Sequence, residues 1–218
     1  MVKSLDELVN ISFYVLQGAV ISIKIYVVTI IFAIPLGMLC AMGKLTKIAP
    51  LKWFLEMYTW LFRGTPLLLQ LFFTYFGLPL LIGVELSREM AAYLTFIVNY
   101  GAYFTEIFRA GIQSIDKGQY EAAKALGMNY RMTMKRIIIP QAVKVILPPT
   151  GNEAVTLIKD TALVSVIALA DILRNAKSVV SRTASVEGYF VAAALYLIIT
   201  FIIIKIFKYI EKRFAYYD

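Results

Sequence analysis

Five polar or charged residues in the stretch 145–170 could bind a charged solute. On an α-helix, which advances about 100° per residue, their spacing places all five within an arc of about 120°. A zwitterionic solute needs a cation for its carboxylate and an anion for its ammonium group, and Lys159 with Asp160 provides that pair. Glu153 is then a spare carboxylate, which would suit a second positive group on the solute. The five residues are Asn152, Glu153, Thr156, Lys159 and Asp160.

The same face has a second interpretation, in which no solute binds. Lys159 could bridge Glu153 and Asp160, so that the charges neutralise one another within the helix. Each charge inside a bilayer costs roughly 2.5–3.5 kcal/mol on insertion scales, so it needs either a partner or a function. Elsewhere Glu106 and Arg109, three residues apart, predict a local ion pair of this kind. The sequence leaves both interpretations of the 145–170 face open.

Two side-chain amides and one predicted helix interruption also lie inside apolar stretches. Gln70 and Asn99 could each line a solute pathway or hydrogen-bond a neighbouring helix. Pro66, in the run Arg63-Gly64-Thr65-Pro66, cannot donate a backbone hydrogen bond and should interrupt its helix. Broken helices often line transport cavities, although a packing kink would account for this run equally well.

The composition argues against several other kinds of chemistry. The 218 residues include no His, which removes imidazole catalysis and the commonest metal ligand. Cys40 is the single cysteine, so neither an intrachain disulfide nor a thiolate metal cluster is expected. The net charge of +8 is spread between apolar stretches rather than gathered on one surface, which argues against a nucleic-acid partner. We expect no enzyme activity, no metal and no cofactor in this chain.

The elements that position these residues are predicted to be transmembrane helices. The chain is 60% hydrophobic and 17% charged, with a mean hydropathy of +0.74. Because a spanning helix needs roughly 20 apolar residues, we predict an all-α membrane protein in which 1–218 is a single transmembrane domain. The chain has no room for a separate soluble domain. The predicted spans are 13–41, 53–82, 90–112, 145–170 and 188–207.

The basic residues of the connecting segments predict the orientation of these spans. Five spans place fourteen Lys and Arg residues on one side and five on the other. The basic side is cytoplasmic by the positive-inside rule, so the N-terminus is outside and the C-terminus inside. The fourteen are Lys44, Lys47, Lys52, Arg109, Lys117, Lys124, Arg131, Lys135, Arg136, Lys144, Lys205, Lys208, Lys212 and Arg213. The five are Lys3, Arg88, Arg174, Lys177 and Arg182.

The longest cytoplasmic connection, 113–144, should itself be partly helical. Gln119–Leu126 is rich in good helix formers, and Gly127 fits a helix stop. A second stretch, Asn129–Ile139, starts with a possible cap and should end before Pro140. We therefore predict two short helices lying across the cytoplasmic face.

This connection carries a motif of small and apolar residues around a glycine and a proline. Its residues are Glu121, Ala122, Ala123, Gly127, Ile137, Ile139 and Pro140. The motif closely resembles the loop signature of the membrane subunits of ATP-binding-cassette importers, with Ile139 where that family has Leu. In the family this element is the coupling helix that docks on the ATPase. The resemblance implies the same role for Glu121, Ala122, Ala123, Gly127 and Pro140.

Other segments resemble the polar amino-acid permeases among these importers. The similarity covers most of the chain, about 18–196, and implies the type I importer permease fold. Ala162 stands where relatives usually have Ser, which puts a role for that hydroxyl in doubt. The matching segments are Phe62–Leu67 with Gln70, Gly77–Pro79, Glu106–Gly111, Pro140–Ala142 and Lys159–Thr161.

The resemblance also implies several partners. The nearest approach to a phosphate-binding loop, Gly37 to Gly43-Lys44-Leu45, has the wrong spacing and lacks the Ser or Thr that would hold magnesium. ATP and Mg²⁺ are therefore expected on a separate ATPase chain. The other expected partners are a second permease subunit about a two-fold axis, an extracytoplasmic solute-binding protein, an amino-acid substrate and the lipid bilayer of a bacterial-type cytoplasmic membrane.

The spare carboxylate makes the prediction of the substrate more specific. With Glu153 beside the Lys159–Asp160 pair, we predict a basic amino acid, namely arginine, lysine or histidine, carried by alternating access. Asn152, Thr156, Asn99 and Gln70 complete the predicted site. The alternative is an ion-gradient-driven secondary carrier, in which Glu153 and Asp160 bind protons or sodium. That alternative leaves the loop motif unexplained.

Overall fold

Long apolar helices lie at both ends of the part of the chain that the structure describes. The computed structural model describes residues 5–214, and no β-strand occurs among them. Helix α1 (Leu5–Gln17) is followed after Gly18 by α2 (Ala19–Lys44), and α11 (Glu187–Phe214) closes the described chain. The combined helix Asp6–Lys44 and α11 are each long and apolar enough to cross a membrane. Lys3, which enters the predicted orientation, lies outside the described residues.

A sharply bent pair of helices follows α2. Helix α3 (Ala49–Gly64) and the segment Leu67–Ile82 meet at an angle of 103°. That segment consists of α4 (Leu67–Phe72), a π-helical turn and α5 (Leu78–Ile82). The break falls at Thr65 and Pro66, as predicted from the missing Pro N–H. Counted as one broken span, the bent pair brings the spans that length and composition support to three. The predicted number of five stays a prediction.

Helix α6 (Arg88–Gln113) forms the centre of the hydrophobic core. Four of its aromatic side chains recur every fourth residue, so they share the helix face that packs inward. Gly37 lets α2 lie directly against this face, because a Cβ there would come within 2.5 Å of the Phe104 Cβ. The four aromatic residues are Phe96, Tyr100, Phe104 and Phe108.

The connection after α6 contains one separate helix and the start of a long one. Helix α7 (Lys117–Ala125) stands alone, whereas α8 (Tyr130–Thr133) runs through the π-helical turn Met134–Ile138 into α9 (Ile139–Asp160). The prediction that the second helix ends before Pro140 is therefore wrong. A wider π turn immediately before Pro140 relieves the clash and the missing hydrogen bond that would break a regular helix.

A short 3-10 segment and one further helix connect α9 to α11. A 3-10 segment, Thr161–Ile167, follows α9 and completes most of the predicted stretch 145–170. Helix α10 (Ile172–Thr183) begins at Asp171, whose carboxylate accepts from the backbone N–H groups of Leu173 and Arg174. Its apolar face packs against α1 and α11, which ties the two ends of the chain together.

Candidate functional site

A cavity of about 380 Å³ lies beside the break between α3 and α4. This volume is within the range of small-molecule sites. Helices α6 and α9 supply most of its polar groups, and the break itself supplies one wall. The lining residues are Thr65, Pro66, Leu67, Leu68, Asn99, Tyr100, Tyr103, Glu153, Thr156, Asp160 and Leu163.

Two carboxylates, those of Glu153 and Asp160, line this cavity. They are seven residues apart on α9, so two helical turns place them on the same face. The hydroxyl of Tyr100 donates to Asp160 Oδ2 at 2.7 Å. Because Tyr100 is fully buried in the core, it holds the Asp160 carboxylate in a fixed position.

The structure separates the five predicted polar residues of α9 into two sets. Glu153, Thr156 and Asp160 line the cavity, whereas Asn152 and Lys159 are exposed and do not. Within residues 5–214, Lys159 makes no ion pair with Glu153 or Asp160. Lys159 is close enough to act electrostatically on Asp160, but it does not line the cavity, so the predicted pairing of the two with a solute stays a prediction.

A different cation stands near the cavity. The guanidinium carbon of Arg63, at the end of α3, lies 5.4 Å from the centroid of the Tyr103 ring. Tyr103 is a lining residue, and Arg63 is close enough to interact electrostatically with Glu153. The charges at the cavity are thus two lining carboxylates, with two cations outside the lining: Arg63 near Glu153 and Lys159 near Asp160.

Gln70 and Asn99 hydrogen-bond the broken end of α3. The Gln70 side-chain amide donates to the carbonyls of Phe62 at 3.0 Å and Thr65 at 3.1 Å. The Asn99 amide donates to the Phe62 carbonyl at 2.8 Å and to Gln70 Oε1 at 2.9 Å. These bonds satisfy carbonyls that the break leaves without helical partners. Of the two amides, Asn99 also lines the cavity and Gln70 does not.

A second cavity, of about 450 Å³, lies against the same break but has a different chemistry. Its walls are mostly apolar side chains of α3, α4 and α6, such as Leu61, Leu69 and Leu94. Gln70, Thr65, Thr74 and Thr95 are its polar lining residues, and none of its lining residues is charged. A charged solute would find no counter-ion there.

A second charge cluster lies among the ends of α2, α3 and α6. Glu106 accepts from Arg109 at 2.6 Å, which confirms the predicted local ion pair. Lys44 also pairs with Glu106 and donates to Thr59 Oγ1 at 2.9 Å. The side chains of Lys44 and Glu106 are only 7% and 15% exposed. Because Lys44 and Arg109 each pair with Glu106, we interpret these charges as a structural cluster.

The motif of the connection is presented on α7 and the turn after it. Glu121 and Ala122 are exposed, whereas Ala123 is buried against the bundle. Gly127 has a φ of +74°, and the N–H groups of Gly127 and Met128 bond the carbonyls of Lys124 and Ala123. The predicted helix stop at Gly127 is confirmed, because this left-handed cap is the conformation that favours glycine.

Several residues around the site were not identified from the sequence. Tyr103 lies one turn after Asn99 on α6, so helical periodicity from Asn99 could have found it. Tyr100 and Arg63 gave no such signal, because the Tyr100–Asp160 hydrogen bond and the Arg63–Tyr103 contact join different helices and arise only from packing. Thr65 was recognised only as part of the break.

Comparison with known proteins identifies close relatives over almost the whole chain. A family model described as "Binding-protein-dependent transport system inner membrane component" matches residues 33–216. A putative glutamine transport system permease, GlnP of Rickettsia felis, is 43% identical over 206 residues, 92% of each chain. The arginine transport system permease ArtQ of Bacillus subtilis is 41% identical over 201 residues, again 92% of each chain.

Solved structures agree with these sequence matches. The structure of an amino acid ABC transporter with histidines superposes with a TM-score of 0.89 at 36% identity, covering 98% of this chain and 100% of the other. The methionine transporter MetNI, at a TM-score of 0.73 and 14% identity over 97% and 99% of the two chains, shares the fold.

Proposed function

Because the chain belongs to the family of binding-protein-dependent transport system inner membrane components, as a permease subunit of an amino-acid ATP-binding-cassette importer, we propose that its substrates are basic amino acids. The named relatives include glutamine and arginine permeases, so the family alone leaves the solute open. The chemical class of the solute therefore has to be inferred from the residues that line the cavity. The observation that carries the proposal is the pair of carboxylates, Glu153 and Asp160, in one cavity without a Lys or Arg among its lining residues.

The residues that line the cavity favour a solute with a net positive charge. Glu153 and Asp160 line it without a cation, while Arg63 and Lys159 act on them from outside the lining. Arginine and lysine carry +1 at neutral pH, since two positive groups outnumber the carboxylate. A basic amino acid therefore supplies one positive group to each lining carboxylate, whereas zwitterionic glutamine supplies a positive group to only one of them. An uncompensated charge in an apolar surrounding is strongly unfavourable, so the site discriminates against glutamine.

The positions of the groups support distinct roles for them. Asp160, held by Tyr100, binds one ammonium group of the solute. Glu153, two turns away, binds the second positive group, and Arg63 above Tyr103 attracts the solute carboxylate. Asn99 and Thr156 contribute polar walls between these charges. The family member solved "with histidines" is consistent with this class of solute.

We also propose that two permease subunits enclose the pathway about a two-fold axis. Asn152 and Lys159 are exposed on α9 inside the predicted span 145–170. A lysine facing lipid at that depth costs roughly 2.5–3.5 kcal/mol on insertion scales. A second subunit, or a water-filled pathway between two subunits, removes that cost. The basic connection 113–144 then faces the cytoplasm, with the N-terminus outside.

Helix α7 is the proposed docking element for the ATPase, which binds ATP and Mg²⁺. Its exposed side presents Glu121, Ala122 and the end residue Leu126, which is 79% exposed. Tyr120 and Ala123 anchor the helix to the bundle, and burial raises the pKa of the Tyr120 phenol. Motion of α7 is carried directly into α9 through the turn at Gly127 and the segment before Pro140. A solute-binding protein delivers the amino acid on the opposite side, and alternating access follows.

Transport by the assembled complex tests the proposal. The chain, its ATPase and its solute-binding protein are reconstituted in vesicles, and ATP-dependent uptake of arginine and glutamine is measured. The wild type should prefer arginine. Glu153→Gln should lower the preference for arginine roughly 10- to 100-fold, because a charged hydrogen bond contributes about 1.5–3 kcal/mol. Glu85→Gln, an exposed carboxylate away from the cavity, is the control.

Two results would contradict different parts of the proposal. An arginine preference that survives Glu153→Gln would remove the argument for a basic solute. Solute flux in vesicles that contain this chain alone, without nucleotide or another polypeptide, would remove the ATP-driven mechanism and favour the secondary carrier.

A further inference from the structure

A basic cleft of about 560 Å³ lies where α2 and α6 end and the α8–α9 helix begins. It is separate from the amino-acid cavity and shares no lining residue with it. Its lining includes four apolar side chains and two basic ones that are positioned to contact a ligand. They are Met42, Ile112, Met134, Ile139, Arg131 and Lys135.

The two basic side chains of the cleft have no acidic partner. Arg131 and Lys135 are exposed and four residues apart, so they lie on neighbouring turns of one helix. Within residues 5–214 neither makes an ion pair or a hydrogen bond. Lys44 and Arg109, at the same end of the bundle, are both paired with Glu106. The cleft therefore concentrates positive charge that the protein itself leaves uncompensated.

An apolar stripe on α2 leads into the cleft. Ile31, Met38 and Met42 are exposed, and their spacing of seven and four residues places them on one helix face. Met42 is also a lining residue of the cleft. The stripe thus connects the apolar depth of the predicted span 13–41 with the two cations at its end.

We propose that the basic cleft binds an anionic phospholipid. The phosphate lies between Arg131 and Lys135, and an acyl chain follows the stripe from Met42 toward Ile31. Unpaired cations beside an apolar surface at a helix end are the features that bind acidic lipid headgroups between transmembrane helices. Free phosphate would contact only the two cations and would leave the apolar stripe without a role. The ATPase is proposed to contact α7, which does not line this cleft. The inference requires a membrane-embedded chain but not the proposed amino-acid substrate.

Lipid binding to the purified permease–ATPase complex tests this site. Native mass spectrometry counts bound phosphatidylglycerol and phosphatidylcholine after titration of each lipid. Phosphatidylglycerol should bind preferentially, and the double variant Arg131→Gln/Lys135→Gln should weaken its binding about 30-fold. The charge-conserving variant Arg131→Lys/Lys135→Arg should retain phosphatidylglycerol binding. Lys208→Gln/Lys212→Gln, with the same loss of charge at exposed positions of α11, should also retain it.

The other outcomes overturn the inference. Equal binding of phosphatidylcholine, or equal loss in the Lys208/Lys212 control, would show that the cleft has no headgroup preference. Displacement of the lipid by inorganic phosphate would make it a simple anion site. Dissociation of the ATPase from the Arg131/Lys135 double variant, with lipid still bound, would make the cleft a protein interface. None of these measurements involves amino-acid transport, so a failure of this proposal is distinguishable from a failure of the proposed substrate.

Discussion

The two charge clusters of the bundle differ in direct ion pairing and in access. Lys44 and Arg109 both pair with Glu106, and the side chains of Lys44 and Glu106 are almost inaccessible to solvent. Glu153 and Asp160 face an open cavity, and no cation lines that cavity with them. Each charge of the first cluster has a direct ion-pair partner, because a buried unpaired charge is costly. Carboxylates that face a cavity without such a partner are available to a solute.

The largest effect is expected from breaking the closed cluster. Glu106→Gln leaves Lys44 and Arg109 without their shared carboxylate, which should destabilise the protein by roughly 3–5 kcal/mol. Thermal unfolding of the purified complex measures this loss. The matched control is Glu89→Gln in the exposed pair Lys24–Glu89, whose side chains are 50% and 42% exposed. Exposed pairs contribute about 1 kcal/mol or less, so the control should barely change unfolding.

Equal unfolding temperatures for Glu106→Gln and Glu89→Gln would break the comparison. The cluster around Glu106 would then contribute no more than a surface pair, and burial would not distinguish the two.

A smaller effect on stability, but a clear one on binding, is expected at the cavity. Asp160→Asn keeps an oxygen that can accept from Tyr100, so unfolding should change little. Affinity for arginine should fall roughly 10- to 100-fold, because one charged hydrogen bond is lost. Isothermal titration or solute-stimulated ATP hydrolysis measures it. Tyr100→Phe is the companion variant and should weaken binding less, since the carboxylate remains.

The opposite pattern would reassign Asp160. A variant that unfolds as easily as Glu106→Gln while binding arginine normally would place this carboxylate among the structural charges.

The smallest effect is expected from the amides that cap the break. Gln70→Leu removes the donors to the Phe62 and Thr65 carbonyls, which should cost about 1–2 kcal/mol of stability. The preference for arginine over glutamine should stay unchanged, because Gln70 does not line the cavity. Thermal unfolding and competitive uptake measure the two quantities. A changed preference would mean that Gln70 contacts the solute in another conformation of the pathway.

The sequence predicted the helical class, the break at Pro66, the stop at Gly127 and the Glu106–Arg109 pair. Each depends on neighbours within one or two helical turns. The continuation of the helix through Pro140 was missed, although it is also local. A π turn is rare, and the preceding residues give no sign that distinguishes it from a helix end.

The lining of the candidate cavity was predicted only in part. Helical periodicity brought Glu153, Thr156 and Asp160 to one face, and the structure places these three at the cavity. The same periodicity included Asn152 and Lys159, which the structure leaves outside. An arc of about 120° is wide enough to span both a cavity wall and an exposed edge, so angular position alone could not separate them.

By itself, the sequence determined a helical, apolar chain with a helix break and a glycine stop, because hydropathy, helix periodicity and turn chemistry are local properties of the chain. Its assignment to the importer permeases came from the resemblance of its motifs to that family. Only the tertiary structure decided which charges meet. Lys44 reaches Glu106 across 62 residues, Tyr100 reaches Asp160 across 60, and Arg63 of α3 lies over the Tyr103 ring of α6. Such pairs follow from the packing of whole helices against one another, which depends on many distant contacts at once and leaves no periodic trace in the sequence.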